Sequence, residues 1–443
     1  MARSIDGKSI SRRSFMRRAA AAAAVPAILP SRMFGRTPPS DTMLLGCIGV
    51  GRQGIADMQE AIYRGLEAGA RVAAVCDVDS HRLEDAQWLA EKIYDAELGN
   101  GGRRVVDAYE DYRDLLTRED IDAVIIVTPD HWHGKHGIDA VRAGKDIYLE
   151  KPLTYSIGEG RELVKAVREN GRILQVGTHQ RSFIYFQIAC ELVLNERLGK
   201  LKRILVTLPP DTGRGDPRPM PVPRNLNYDF WLGPAPEAPF TEDRVHPHAS
   251  YDRPGWIQIE SYCLGMITGW GAHMNDIAQW GNGPDDAVPV EIEAKGEFPD
   301  RGLFDVHTNF HGEALYANGV RLVMETGDPP GVRFEGDLGW IFVNRNELKA
   351  SDREILRREA GDGGIKLSRS TNHMRNFLDA VRGRKDPVSP VETGHHANTI
   401  GVMTHIAMKL GRKLRWDPRA ERFLDDDEAN SRLDYPHRRP WTL

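Results

Sequence analysis

The apolar run Met43–Val50 feeds directly into Gly49-Val50-Gly51-Arg52-Gln53-Gly54, and a helical pattern opens on that turn. Strand, glycine turn and helix in this order leave few folds open. Gly49 permits the tight turn, Gly51 lets the backbone approach a pyrophosphate, and Gly54 lets helix and strand pack closely. Arg52 and Gln53 ride on the same loop, and the helix N-terminus faces the phosphate charge. A second strand pattern, Arg71–Cys76, ends at Asp77, whose carboxylate is placed to accept hydrogen bonds from an adenosine ribose. A carboxylate there repels a 2′-phosphate, so the pattern predicts NAD rather than NADP.

Further parallel strands follow. Tyr109–Leu116 reads as a helix and Ala123–Val127 as a buried strand of β-branched residues. Thr128-Pro129-Asp130-His131-Trp132-His133 comes next, at the strand edge where open α/β sheets bind ligands. His131 and His133 have a spacing that metal sites use, but no third ligand is near in sequence, so no metal is expected. After a helix over Gly134–Ala143, the strand Lys145–Leu149 delivers Glu150-Lys151-Pro152. Pro152 lacks a backbone donor and fixes its own φ, which ends the strand and leaves Lys151 at the rim, where a cofactor's reactive end lies.

A chain of 443 residues exceeds one typical core, so two domains are expected. A net charge of −5 gives no basis for nucleic-acid binding. Cys47, Cys76, Cys190 and Cys263 show no paired spacing and read as core residues. Residues 1–36 stand apart: Ser11-Arg12-Arg13-Ser14-Phe15-Met16-Arg17 has the twin-arginine export pattern, followed by an alanine-rich stretch too short for a stable membrane span. The expected organisation is a signal at 1–36, a dinucleotide domain at 42–165 and a substrate domain at 166–443. It also implies delivery by the twin-arginine machinery to a periplasmic or other extracytoplasmic location.

Beyond the hinge, Ile157–Asn170 is amphipathic, Ile173–Gly177 is a short strand leading to Thr178-His179-Gln180-Arg181, and Phe186–Val193 is helical. Strand patterns then occur at Leu201–Leu208, Val290–Glu297, Val306–Tyr316, Val320–Glu325 and Trp340–Val343, with a hairpin signal at Asn318-Gly319. Without intervening helices these predict a mostly antiparallel sheet in an α+β domain. Pro209–Pro254 is proline-rich with scattered aromatics, a composition suited to covering a site. Met374, Phe377, Leu378 and Val381 mark a helix that packs on a core, and the last twenty or so residues, with Trp441, read as an extended arm.

Thr268–Trp280 places His273 and Asp276 one helical turn apart. A histidine oriented by a carboxylate suits general acid–base work; spacing alone favours a buried structural histidine.

Gly49-x-Gly51-x-x-Gly54, Thr128-Pro129-x-x-x-His133, Glu150-Lys151-Pro152 and His273-x-x-Asp276, in this order, resemble the glucose–fructose oxidoreductase / inositol dehydrogenase / MocA family. The resemblance implies a Rossmann domain followed by a domain with a large antiparallel sheet, and assembly into homo-oligomers. It implies that Lys151 reaches both the nicotinamide ribose and the substrate hydroxyl. It adds Thr128, Pro129, His133 and Glu150 to the cofactor contacts. Many members carry an aspartate four residues before the histidine, where this chain has Gly269; the Trp-Gly-Ala-His variant resembles the exported, sugar-handling branch.

Hydride transfer needs a base for the hydroxyl proton. Lys151 is the expected base and His273 the alternative, with His179, Gln180, Arg181, Tyr185, Arg244, His246 and Asp276 as expected contacts to a small carbohydrate. An exported enzyme meets no pool of free NAD, which favours an enclosed cofactor and redox-neutral cycles. Three functions follow: an oxidoreductase of a sugar or polyol, an NAD-dependent glycosidase of the same fold, or a non-catalytic sugar-binding relative.

Overall fold

The computed structural model describes residues 41–99, 105–247, 250–283, 288–357 and 364–443, and the expected export signal at 1–36 lies outside them. Within Met43–Leu443 the chain first builds six strands: β1 (Met43–Ile48), β2 (Ala70–Cys76), β3 (Asp107–Tyr109), β4 (Ala123–Ile126), β5 (Asp146–Leu149) and β6 (Leu174–Val176). They lie in the order β3-β2-β1-β4-β5-β6, and each neighbouring pair is parallel. β4 and β5 are buried at every position, as strands covered on both faces must be. The parallel sheet continues past the expected boundary at residue 165, because β6 adds to its edge.

Local sequence signals set the crossover helices. Asp79 caps the helix Ser80–Leu98, accepting from His81 and Arg82 N–H, and Ser156 with Glu159 forms a capping box on Ile157–Glu169. The expected helix over Tyr109–Leu116 is shorter than predicted: Asp111 caps a helix at Tyr112–Leu116, and the preceding residues pair as β3.

The second sheet has nine strands, β7 (Leu201–Leu208), β8 (Glu291–Glu297), β9 (Asn309–Leu315), β10 (Arg321–Thr326), β11 (Gly331–Gly336), β12 (Gly339–Val343), β13 (Leu348–Ala350), β14 (Leu414–Asp417) and β15 (Arg422–Phe423). Their order is β13-β12-β11-β7-β10-β9-β8-β14-β15, antiparallel except for β7 with β10. Asn318-Gly319 makes the β9–β10 turn, with Gly319 at φ 85°. Helices Gly271–Asn282 and Val391–Leu410 share the core with the sheet's buried side chains.

The C-terminal part returns to the first sheet. Met374, Phe377, Leu378 and Val381, on the helix His373–Gly383, join a core with Met58, Ile62 and Val72 of the dinucleotide half. Trp441 does not sit on an extended arm: it is buried, its ring 4.6 Å from Phe230 and 5.1 Å from Trp132. All four cysteines are buried, and none of them forms a disulfide. Among the described residues no helix is long and apolar enough to cross a membrane.

Candidate active site

A cavity of about 640 Å³ runs along the carboxyl ends of β2, β1, β4 and β5. At the usual strand spacing these four strands span about 14 Å. The wall passes from Asp77 and Arg82 across Gly49–Gly54 and Thr128-Pro129 to Glu150, Lys151, His179 and His273.

The glycines divide their work as the spacing predicts. A Cβ on Gly49, at φ 83°, would lie 2.6 Å from the Val127 carbonyl oxygen, and one on Gly54 would lie 2.0 Å from that of Gly49. Gly51 differs, because the nearest atom to its Cβ position is Arg82 Nη1 at 3.9 Å, which leaves open space for a pyrophosphate. The helix Arg52–Ala68 has no acidic residue in its first turn to compete with that charge. Asp77 Oδ2 accepts from Val50 N–H at 2.8 Å and Oδ1 from Asp79 N–H at 3.0 Å, which aims the carboxylate from the tip of β2. Arg82 Nη2 donates to the carbonyls of Pro247 (3.2 Å) and Ser250 (2.9 Å), which ties that side of the guanidinium to the covering segment. The loop fits NAD.

At the other end, Lys151 makes no hydrogen bond or ion pair among the described residues. Beside it, burial opposes ionisation of Glu150, but His179 and Lys151 outweigh it and hold the carboxyl below its usual range. His179 Nε2 lies 3.3 Å from Glu150 and 2.5 Å from Tyr148 Oη. Burial and the Glu150 charge push Asp57 up to about 8, so it keeps its proton at neutral pH. Asp57, Glu150 and His179 bring ligand-type atoms within 4.8 Å of one another. With Asp57 protonated and His179 engaged by Tyr148, the trio is suited to holding a proton rather than a cation.

His273 is 7% exposed, and its Nδ1 has no hydrogen-bond partner. Burial, then the charges of Lys151 and Arg345, push its pKa well below the usual histidine range. It is a neutral imidazole whose open nitrogen can accept a hydroxyl hydrogen bond.

Asp276 does not orient His273. Its carboxylate faces Arg181 instead, with contacts of 2.7, 2.9 and 3.0 Å between side chains 4% and 1% exposed. The expected sugar contacts Arg181 and Asp276 are thus each other's partners, and the Arg181 guanidinium also covers the Trp280 ring. Gln180 is fully buried against Met274, and Tyr185 is exposed away from the cavity. Arg244 bonds the Pro239 carbonyl and Tyr262 Oη, and His246 meets Asp79 Oδ2 at 2.9 Å at the adenosine end. His133 lies beneath the wall, its two ring nitrogens each 2.8 Å from a carbonyl, of Thr128 and Pro152. It fixes the turn carrying Lys151 rather than touching the cofactor. Of the seven expected sugar contacts, only His179 lines the reactive end.

Trp256 and Arg345 also line the cavity and stood in no motif, and Trp270 of the Trp-Gly-Ala-His stretch joins them. The proline-rich stretch is ordered around its own aromatic core of Trp231, Phe240 and Tyr262, as its composition predicts for a cover. It is tied to the adenosine edge by Ser80 N–H to Asn225 O, Asn227 N–H to Val78 O, and a bridge between Asp79 and Leu226. Burial opposes ionisation of Asp79, but bonds from His246 and Asn225 outweigh it and hold the carboxyl at about 2.

The buried acid gives a pH prediction. Asp57 titrates near 8 when folded and at the ordinary 3.8 when unfolded, so stability falls as pH rises through that window. Asp57→Asn keeps the acceptor for Gln53 and removes the titration. Thermal melts of the variant should match the parent near pH 4 and exceed it at pH 8; equal gaps at both would refute the raised value.

Residues 43–178 match the family described as "Oxidoreductase family, NAD-binding Rossmann fold" and residues 211–443 that described as "Oxidoreductase family, C-terminal alpha/beta domain". A glycosyl hydrolase family 109 protein of Shewanella pealeana is 32% identical over 140 residues, which are 31% of this chain and 29% of that protein. An uncharacterized oxidoreductase of Bacillus subtilis is 29% identical over 165 residues, 37% of this chain and 44% of its own. The chain thus spans less than half the length of these curated relatives. The WlbA dehydrogenase of Bordetella pertussis, solved with NADH and UDP-GlcNAcA, has a TM-score of 0.61 at 17% identity, over 85% of this chain and 99% of its own. A myo-inositol 2-dehydrogenase from Lactobacillus plantarum gives 0.56 at 19%, over 85% and 99%. Both halves match in the order in which the chain folds them, and the protein belongs to the glucose–fructose oxidoreductase / inositol dehydrogenase / MocA family of oxidoreductases, with an NAD-binding Rossmann domain.

Proposed function

We propose that this protein is an exported oxidoreductase acting on a hydroxyl of a sugar, glycoside or polyol, with NAD held between turnovers. The observation that carries this reading is the segment over residues 209–264, bonded through backbone groups to Val78, Asp79 and Ser80 where the adenosine ribose would sit. Phe230, Trp231, His246 and Trp256 of that segment line the cavity, which supports a cofactor held between turnovers. When bound, the nicotinamide accepts a hydride from a substrate carbon and returns it. Lys151 removes the hydroxyl proton, and His273, neutral and unbonded at Nδ1, holds the same or an adjacent hydroxyl. The twin-arginine pattern at residues 11–17 supports export of the folded, loaded protein.

The test is to denature the purified protein and quantify the NAD(H) released. About one per chain is expected without added cofactor, and none would overturn the enclosed-cofactor reading.

An enclosed cofactor and the relatives named as glycosyl hydrolases favour one second reading. Transient oxidation at C3 acidifies the C2 proton, elimination breaks the glycosidic bond, and water addition and re-reduction close the cycle. Release of a reducing sugar from a synthetic glycoside, with no NAD supplied, separates this from net sugar oxidation.

A further inference from the structure

Arg345 occupies the turn between β12 and β13 and lines the cavity at its reactive end. Its guanidinium carbon lies 4.8 Å from the centre of the Trp270 ring, and the same ring stands 6.0 Å from that of His273. Asn344, buried beneath it, accepts from Asn346 and Glu347 N–H at 2.9 Å each, which fixes the turn. Yet Arg345 makes no hydrogen bond or ion pair among the described residues. Arg345 is exposed, and the five N–H donors of its guanidinium are open to an incoming acceptor.

Five acids line the wall: Glu110 accepts from Asn227, and Asp130 is buried against Cys263. Asp77 accepts from Val50 and Asp79 N–H at the far end, Asp252 from Ser250, and Glu150 stands against His179. Lys151, on the opposite wall, is also without a bonded partner. The reactive end thus presents Lys151, Arg345 and the neutral His273 to whatever enters, with the Glu150 carboxylate acting on both cations.

We propose that the substrate is an acidic sugar of the hexuronate type, whose carboxylate Arg345 binds while the hydroxyl to be oxidised faces Lys151 and His273. A planar carboxylate matches the guanidinium fork with two parallel hydrogen bonds. Trp270 lies against both Arg345 and His273, so the two groups can engage opposite sides of one sugar ring. This rests on the oxidoreductase reading above and specifies its substrate.

The experiment follows single-turnover reduction of the bound NAD⁺, whose dependence on sugar concentration gives kcat and KM for that step, with pairs of sugars that differ only at C6: glucuronate with glucose, galacturonate with galactose, mannuronate with mannose. Glucose 6-phosphate is the phosphate control. At least one uronate should exceed its aldose about tenfold or more in kcat/KM. Arg345→Gln should raise KM for that uronate roughly 10- to 100-fold, the range for one lost charged hydrogen-bonding partner, and Arg345→Lys should recover part of it. Bound NAD(H) per chain serves as the control for folding. Aldoses turned over as well as uronates, a preference that survives Arg345→Gln, or a phosphate preferred to the carboxylate would each overturn the proposal and leave the oxidoreductase reading standing. No response from any sugar, with NAD(H) bound, would overturn both.

Discussion

Lys151→Ala should abolish turnover and leave the fold and its cofactor in place. A positioned base contributes roughly 10²- to 10⁴-fold, so kcat should fall by at least about a hundredfold. Stability should hold, because Lys151 bonds to no described residue and the turn that carries it is held from below, by His133 between the carbonyls of Thr128 and Pro152. The measurements are single-turnover reduction of the bound cofactor, the melting temperature and NAD(H) per chain. A loss of rate with the other two unchanged assigns the proton to Lys151. A variant within tenfold of the parent would take the proton from Lys151 and leave His273 as the alternative base.

The dinucleotide half was legible because its signals are local. Glycine spacing, an aspartate at a strand tip and four apolar strands each declare themselves within a few residues. The second domain was legible only where strands alternate. β11, Gly-Val-Arg-Phe-Glu-Gly, sits in the sheet interior beside β7, yet only Val332 and Phe334 point to the core, and glycines close both ends. The helix Val391–Leu410 escaped for the opposite reason. It is buried along nearly its whole length, so no polar face alternates with an apolar one to mark a period of 3.6.

The site followed the same division. Lys151, Glu150 and His273 stand in motifs, and they line the cavity. Arg345 is delivered by a hairpin turn about seventy residues after His273, and only the folding of β12 and β13 beside Trp270 gives it a role. The substrate contacts expected from Gln180, Arg181 and Asp276 failed because their polarity serves the interior: a side chain near a motif in sequence can as readily face the core as the cavity. His246 and Arg244 went instead to the cover, which needs polar ties of its own.

Asp276 is where motif and packing disagree most, and the two readings predict opposite results. If the carboxylate is structural, Asp276→Leu, which keeps its shape, removes the counter-charge that the Arg181 guanidinium meets at 2.7 Å in a pocket where that side chain is 4% exposed. Removing one partner of a buried pair costs about 3–5 kcal/mol. The single variant should therefore melt many degrees lower or fail to accumulate. Adding Arg181→Met removes the guanidinium charge, and the double variant should regain most of the loss, since well-packed apolar replacements of a buried pair are often neutral or better. The dependence of kcat on pH supplies the second readout. His273 makes no bond to Asp276, so the double variant should keep the parent's profile. A stable single variant with a displaced profile would restore the histidine–aspartate relay that the motif spacing implies.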